Sequence, residues 1–306
     1  MSVFENAYGQ YEGRLTPEWS RFLVIPRYNL REVFRSKLFT ALFCLCFIYP
    51  LVAAILIYLH HNANAIALLR INVRELLPIN ASFFQYFVEL QGWLAFFLTV
   101  LAGPPLVSRD LANNALPLYL YRPFSRAEYV LGKLSVIVVL LSLITWVPGL
   151  LLFALQAYLE GAGWLWSNLW MSGAIFIGSI TWIVLLALLA LAVSAWVKWR
   201  VVASGTLLGM FLIPSVFGAI VNNLFLTRMG HLISLGDLIK NIWRGLFGHF
   251  VREADRYRTD SIRGRGFVDV VLLEPPLWAC WLMIALVCAA CLWLLARKIR
   301  AYEVVK

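Results

Sequence analysis

Apolar residues fall along this chain in long blocks rather than in alternation. Six blocks, at 38–59, 83–107, 134–156, 171–197, 201–221 and 277–296, are each about the 20 residues that a helix needs to cross a bilayer core. None shows the period-two pattern of an outer-membrane strand, and a helix satisfies its own backbone within hydrocarbon. The pattern predicts an all-α polytopic membrane protein with six transmembrane helices. Pro50, Pro104, Pro105, Pro148 and Pro214 lie within or at the ends of blocks, where neighbouring helices can cover the carbonyls that proline leaves without a donor.

Outside the blocks the apolar positions become one-sided. Thr16 can cap a helix that has Pro17 at its first position. Over 19–37, Phe22, Ile25, Leu30, Val33 and Phe34 separate from Arg21, Arg27, Arg31 and Arg35, with a bend expected at Pro26. This reads as an N-terminal amphipathic interfacial helix leading into span one. Ile66, Leu69, Val73 and Leu76 recur at helical spacing opposite Arg70, Arg74 and Glu75. A longer surface helix is expected from about Ser234 to Arg252, with Leu235, Leu238, Ile239, Ile242, Trp243, Leu246 and Phe250 on one face. Its polar face would carry Asp237, Lys240, Asn241 and Arg244. The charged stretch 252–265 after it reads as irregular. The chain thus divides into an N-terminal segment, 1–37, and a six-helix domain, 38–306, with connections of note at 108–133 and 222–276.

Composition agrees with the blocks and adds orientation. The 306 residues are 62% hydrophobic and only 14% charged, and mean hydropathy is +0.79. That excludes a soluble enzyme, a disordered regulator and a disulfide-stapled secreted domain. The net charge of +10 points to inner-face loops and anionic lipid headgroups, not to nucleic acid. With both termini inside, sixteen Lys and Arg residues fall on the cytoplasmic side and ten outside, eight of those in the long loop before span six. The expectation is a multi-pass protein of the inner or plasma membrane with cytoplasmic termini. No cleavable signal is expected, because the first 37 residues are polar and the first block is a full span.

Chemistry-bearing motifs are few. There is no G-x-x-x-x-G-K-[ST] phosphate loop, so ATP hydrolysis by that route is not expected of this chain. His60, His61, His231 and His249 fall at outer boundaries without metal-ligand spacing. Cys44, Cys46, Cys280, Cys288 and Cys291 all lie in apolar runs and read as reduced thiols. An enzyme is not expected, and neither is a bound metal or cofactor.

The informative connection is 108–133. It opens on Arg109 and Asp110, passes through Leu116, Leu118 and Leu120, and turns at Arg122-Pro123. A helix capped by Ser125 and carrying Arg126 then leads through Gly132-Lys133 into span three. Positive-inside arginines alone do not account for leucines in a cytoplasmic loop. This stretch resembles the ABC-2 family of ABC-transporter permeases, which carries an acidic residue after span two, a leucine-rich segment, a Pro-Ser/Thr-Arg turn and a Gly-Lys before span three. Asp110, Leu116, Pro123, Ser125, Arg126, Gly132 and Lys133 match. Asp110 stands where Glu is commoner and Ala115 near the family's usual Gly. The layout of entry helix, six spans and surface helices before span six extends the resemblance over essentially the whole chain.

The resemblance implies a transmembrane subunit that pairs with a second copy, identical or not, and docks on separate ABC ATPase subunits that bind ATP and Mg. Residues 108–133 would form the cytoplasmic coupling helix, with Arg109, Asp110, Leu116, Leu118, Arg122, Pro123, Arg126 and Lys133 at the contact. Substrate would pass along spans one, two and five, usually outward. From the residues themselves, Gln85 and Glu89 share a helix face with Gly92 and are candidates for that path. Glu89 has two alternatives, the headgroup level or a pairing with Arg70 or Arg74. Trp164, Trp166 and Trp170 read as an outer aromatic belt. The nearly apolar span five favours a lipid-like or amphipathic cargo. A different function, that of a membrane anchor passing ATPase strokes to an extracytoplasmic accessory protein through 252–265, fits the same layout.

Overall fold

Each of the six apolar blocks is a helix long enough to cross a membrane, and the breaks in those helices fall at prolines. The computed structural model describes residues 24–62, 78–113, 126–197, 199–225, 227–248, 255–260, 267–272 and 274–298. Helix α1 (Val24–Val33) precedes span one, which is two helices, α2 (Lys37–Leu45) and α3 (Ile48–His61). Span two is α4 (Ala81–Ala112). Span three is again two helices, α5 (Arg126–Ile144) and α6 (Trp146–Glu160). Span four is α7 (Ala162–Trp196) and span five α8 (Arg200–Phe225). After a 3-10 turn at Met229–Leu232 come α9 (Leu235–Leu246), strands β1 (Asp255–Asp260) and β2 (Phe267–Leu272), and α10 (Leu277–Lys298), which is span six.

The carbonyls freed by two prolines find side-chain donors on neighbouring spans. Pro50 has no N–H for the carbonyl of Cys46, and Gln91 Nε2 of α4 donates to that carbonyl at 2.9 Å. Pro104 likewise frees the carbonyl of Val100, which accepts from Ser204 Oγ of α8 at 3.0 Å. Just beyond that break, Ser194 Oγ of α7 accepts from the N–H groups of Val107 (3.1 Å) and Ser108 (2.9 Å) and donates to the carbonyl of Pro104 at 2.6 Å. Left uncovered, each buried polar group would cost about 1–3 kcal/mol.

Span four is the axis of the bundle. Its residues from Leu185 to Ala195 are buried almost without interruption, and spans two, three, five and six pack around it. Spans one, five and six are largely exposed on their outward faces. Six crossings put the start of α2 and the end of α10 at one end of the bundle, here called the α1 end.

Three expected elements differ in detail. The entry helix does not run on to Lys37: α1 stops at Val33, and Ser36 caps α2 by accepting from Phe39 N; the residues before Val24, needed to see a bend at Pro26, lie outside the described residues. The helix expected on the outer surface, α9, lies against spans two, four, five and six, with Leu238, Ile239, Ile242 and Trp243 buried. Asn241, expected on its polar face, is 3% exposed. In the charged stretch expected to be irregular, β1 pairs antiparallel with β2, Asp255 opposite Leu272 and Asp260 opposite Phe267. The segment containing Ile66 to Leu76 lies outside the described residues.

Candidate functional site

The two helices that flank the connection between spans two and three meet in one buried polar network. α4 runs past its apolar block and carries Asp110 on its last turn; α5 carries Tyr129, Gly132 and Lys133 on its first two. Lys133 Nζ stands 2.9 Å from Asp110 Oδ2 and donates to Asn29 Oδ1 of α1 at 3.0 Å. Tyr129 OH donates to the same Asp110 oxygen at 2.7 Å, and the ammonium lies 5.7 Å from the Tyr129 ring centroid. Asn29 Nδ2 in turn donates to the carbonyl of Ile25 at 2.6 Å. The Lys133 side chain is only 3% exposed. An ammonium buried so deeply is tolerated only when paired and hydrogen-bonded, and here the Asp110 carboxylate, the Asn29 amide oxygen and the Tyr129 ring surround it, with the Glu32 carboxylate attracting it from farther off.

Gly132 explains how α1 comes so close. A Cβ there would lie 3.1 Å from Ile25 Cβ, tight enough to push α1 away. With no side chain at 132, Ile25 seats against α5 and Asn29, one turn later, reaches the next residue, Lys133.

At the opposite end α9 covers the face of α4 that holds Glu89 and Gly92. Lys240 Nζ lies 3.3 Å from Glu89 Oε1 and 5.6 Å from the Trp93 ring centroid. Trp243 of α9 fills the space left by two glycines, Gly92 and Gly178, and donates through Nε1 to the carbonyl of Gly178 at 3.1 Å. Trp182 donates to the carbonyl of Gly92 at 2.8 Å and meets Trp243 edge to face, ring centroids 5.9 Å apart. Phe96 and Phe211 extend this cluster to span five. On this face α9 lies over Glu89 and Gly92. Gln85 is buried one turn before Glu89.

Two further clamps hold this end. His61 Nε2 lies 2.6 Å from Glu160 Oε2, joining the last turn of span one to that of span three. Glu274, just before span six, accepts from Arg228 and lies 3.1 Å from His231 Nδ1. Burial pushes the Glu274 carboxyl up, but the hydrogen bonds and charges of His231 and Arg228 outweigh it and hold the group at about 2. The turn carrying His231 is pinned to span five by Gly230 N donating to Asn222 Oδ1 at 2.7 Å.

Of the residues singled out in the sequence, Asp110 and Lys133 are brought together. Arg109 and Arg126 lie on the flanking helices; their side chains, and Leu116, Leu118, Arg122 and Pro123, lie outside the described residues. Glu89 finds Lys240; the other expected partners, Arg70 and Arg74, lie outside the described residues. Asn29, Tyr129, Lys240 and Gln91 were not singled out for these contacts. Asn29 carried a signal, because it falls on the apolar face of α1 between Ile25 and Val33. The geometry holds the α1 end through one charge pair that unites three elements. No family model matches this chain, and a search of curated proteins finds no match either.

Proposed function

We propose that this chain is the transmembrane subunit of an ABC-2-type ABC transporter, docking on separate ATP-binding subunits and pairing with a second permease copy. The observation that carries the reading is the network at the base of residues 114–125. The acidic residue after span two and the Gly-Lys before span three, matched to the family by sequence alone, contact one another and the entry helix. A loop that transmits force from an ATPase needs such a base, because motion of the loop must reach the spans and not dissipate at its ends. Under this reading α1 lies in the cytoplasmic interface, both termini are cytoplasmic, and α9 closes the outer end of the path.

Pairing with a second copy finds support on span five. Gly205 and Gly209 stand four residues apart on a face where a Cβ at Gly205 would meet nothing within 4 Å. Val202, Thr206, Met210 and Ile213 line the same shallow apolar groove. Small residues at this spacing let two membrane helices approach closely. An apolar groove of this kind suits a lipid-like or amphipathic cargo moved outward.

The test is co-purification of tagged variants with the ATPase, alongside ATP turnover in proteoliposomes. Arg126→Glu, Asp110→Arg and Leu118→Asp are expected to weaken docking or uncouple hydrolysis while leaving membrane insertion intact. Full complex yield and full coupled activity in all three would overturn the reading. Hydrolysis that responds to an extracytoplasmic partner and to no cargo would favour the anchor function instead.

A further inference from the structure

The second half of span one is an arm lying on a single neighbour. Its pivot is the break between α2 and α3, where Gln91 of span two donates to the Cys46 carbonyl at 2.9 Å and Tyr49 stacks on Phe87, ring centroids 5.7 Å apart. Beyond the pivot α3 packs chiefly on α6, through one face that buries Pro50, Ala53 and Ile57. The opposite face, with Leu51, Ile55 and Tyr58, is exposed.

The arm ends in a contact whose hydrogens can be counted. His61 Nδ1 lies 3.0 Å from the carbonyl of Ile57, and Nε2 lies 2.6 Å from Glu160 Oε2. A carbonyl oxygen only accepts, so Nδ1 carries a hydrogen. An ionised carboxylate only accepts as well, so the second contact needs a hydrogen on Nε2 or on Glu160. The pair therefore holds one proton more than a neutral ring and an ionised carboxylate have between them. When that proton leaves, the ring keeps a single hydrogen and can satisfy one acceptor, not both. Either the tie to Glu160 breaks, or the ring gives up the carbonyl that aims it; the charge attraction goes in both cases. Glu160 does not follow the arm, because Gly161, at φ 103°, turns the chain straight from α6 into α7. Its side chain is 44% exposed, which gives the proton a route to water. Among the described residues the other titratable groups at this level are His60, its ring centroid 5.2 Å from that of His61, Tyr58 on α3 and Tyr158 on α6.

We propose that His61 and Glu160 form a proton-operated latch. With the proton in place the pair ties the end of span one to span three; its loss frees α3 to swing about the break near Pro50. A lysine or arginine opposite Glu160 would hold the arm at every physiological pH, whereas a histidine makes the tie conditional between about pH 5 and 8. The state of the latch follows the medium at the end away from α1. It does not depend on what the protein transports, or on whether it transports at all.

Ile57 is fully buried beneath the arm, so a cysteine there reports its release. The experiment times the reaction of Ile57→Cys, in the full chain in nanodiscs, with a charged methanethiosulfonate at pH 5.5 and 8.5, the chain without the added cysteine serving as blank. The same cysteine in His61→Ala is the reference, and the ratio of the two rates at one pH cancels the thiol's own pH dependence. His61 is expected to slow the reaction about tenfold at pH 5.5 and about twofold at pH 8.5, the worth of a charged against a neutral hydrogen bond. Glu160→Gln should remove that difference between the two pH values, and His60→Gln should keep it. Glu160 is exposed, so Glu160→Gln leaves the fold intact and serves as the reference if His61→Ala unfolds. Equal ratios at both pH values, or a pH dependence that survives Glu160→Gln, would overturn the latch. A dependence lost in His60→Gln and kept in His61→Ala would overturn its assignment to His61.

Discussion

Removing Asp110 should cost far more than its place near the end of a helix suggests. In Asp110→Ala the Lys133 ammonium, 3% exposed, loses its one close carboxylate and keeps Asn29 Oδ1, the Tyr129 ring and the more distant charge of Glu32, and Tyr129 OH loses its acceptor. Leaving one member of a buried pair uncompensated costs about 3–5 kcal/mol. Lys133→Met should be milder, about 1.5–3 kcal/mol for a lost charged hydrogen bond. The reason is that Asp110 is 15% exposed, keeps Tyr129 and can reach solvent. The double variant buries no lone charge, so it should be more stable than the sum of the singles predicts, by about 2–3 kcal/mol, a coupling at the upper end for residues in contact. The assay is unfolding of the purified protein in mixed micelles of rising SDS fraction, followed by loss of helical circular dichroism. Amide exchange over 24–33 should rise in Lys133→Met, where α1 loses its polar tie to Lys133 and keeps its apolar contacts with α5. A coupling below about 0.5 kcal/mol, within the additivity of independent sites, would show that the pair does not hold the three elements together.

Other consequences follow from single contacts. Glu274 has its carboxyl held at about 2, below its ordinary 4.5, so its contribution is present above 4.5 and is lost as pH falls toward 2; the melting-temperature gap between wild type and Glu274→Gln should close over that interval, and a constant gap would refute the pairing. Gly205→Leu should lower the dimer fraction in detergent by at least about tenfold if span five is the contact between copies, with monomer stability unchanged; an unaffected dimer places the contact elsewhere. Glu89 and Lys240 are a partly exposed pair, 25% and 35% by side chain, so Glu89→Gln should cost less than about 1 kcal/mol, and a larger loss of transport than of stability would mark Glu89 as part of the path. A cysteine at position 256 should react with an impermeant thiol reagent in intact cells and one at Asn113 should not; the reverse pattern would invert the orientation and remove the cytoplasmic assignment of 114–125.

The six spans were legible because bilayer thickness dictates block length, and nothing in soluble folding calls for six such blocks. Asp110 and Lys133 were legible as a pattern around one loop, though not as partners, because the 22 intervening residues do not say whether the two helices converge. Asn29 was hidden by its type: a polar residue on an apolar stripe reads as an imperfection until the buried ammonium it meets is known. Asn241 was misplaced for a related reason. α9 is wedged among four spans, so its buried arc is wider than the stripe a helix lying on a flat surface would show. The antiparallel pairing of β1 and β2 escaped notice because charges at Asp255, Arg256, Arg258 and Asp260 masked the strand-forming Tyr257 and Thr259 between them. The Glu89–Lys240 contact joins positions about 150 residues apart, and charge alone pointed to Arg70 or Arg74.

α4 ties the two clusters into one mechanical problem. Gly92 and Asp110 stand 18 residues apart on it, about 27 Å at helical rise, which is nearly the thickness of the hydrocarbon core. At the far end the helix is fixed by Trp182 and Trp243 on Gly92, and at the α1 end by Tyr129 and Lys133 on Asp110. Between them Pro104 and Pro105 remove two rungs of its hydrogen-bond ladder. The neighbours that repair the gap, Ser194 and Ser204, belong to two different spans. A straight, fully bonded helix would pass a push on Asp110 directly to Gly92. A helix interrupted here can bend at the serines while both ends keep their contacts. In a protein whose ATPase lies at the α1 end, movement there would first repack spans two, four and five around Pro104 and only then reach the aromatic cluster under α9. The apolar interior around the break, from Leu98 to Val107, makes such repacking a matter of sliding contacts and of the hydrogen bonds made by the Ser194 and Ser204 hydroxyls. No buried charge has to be separated for the helix to move.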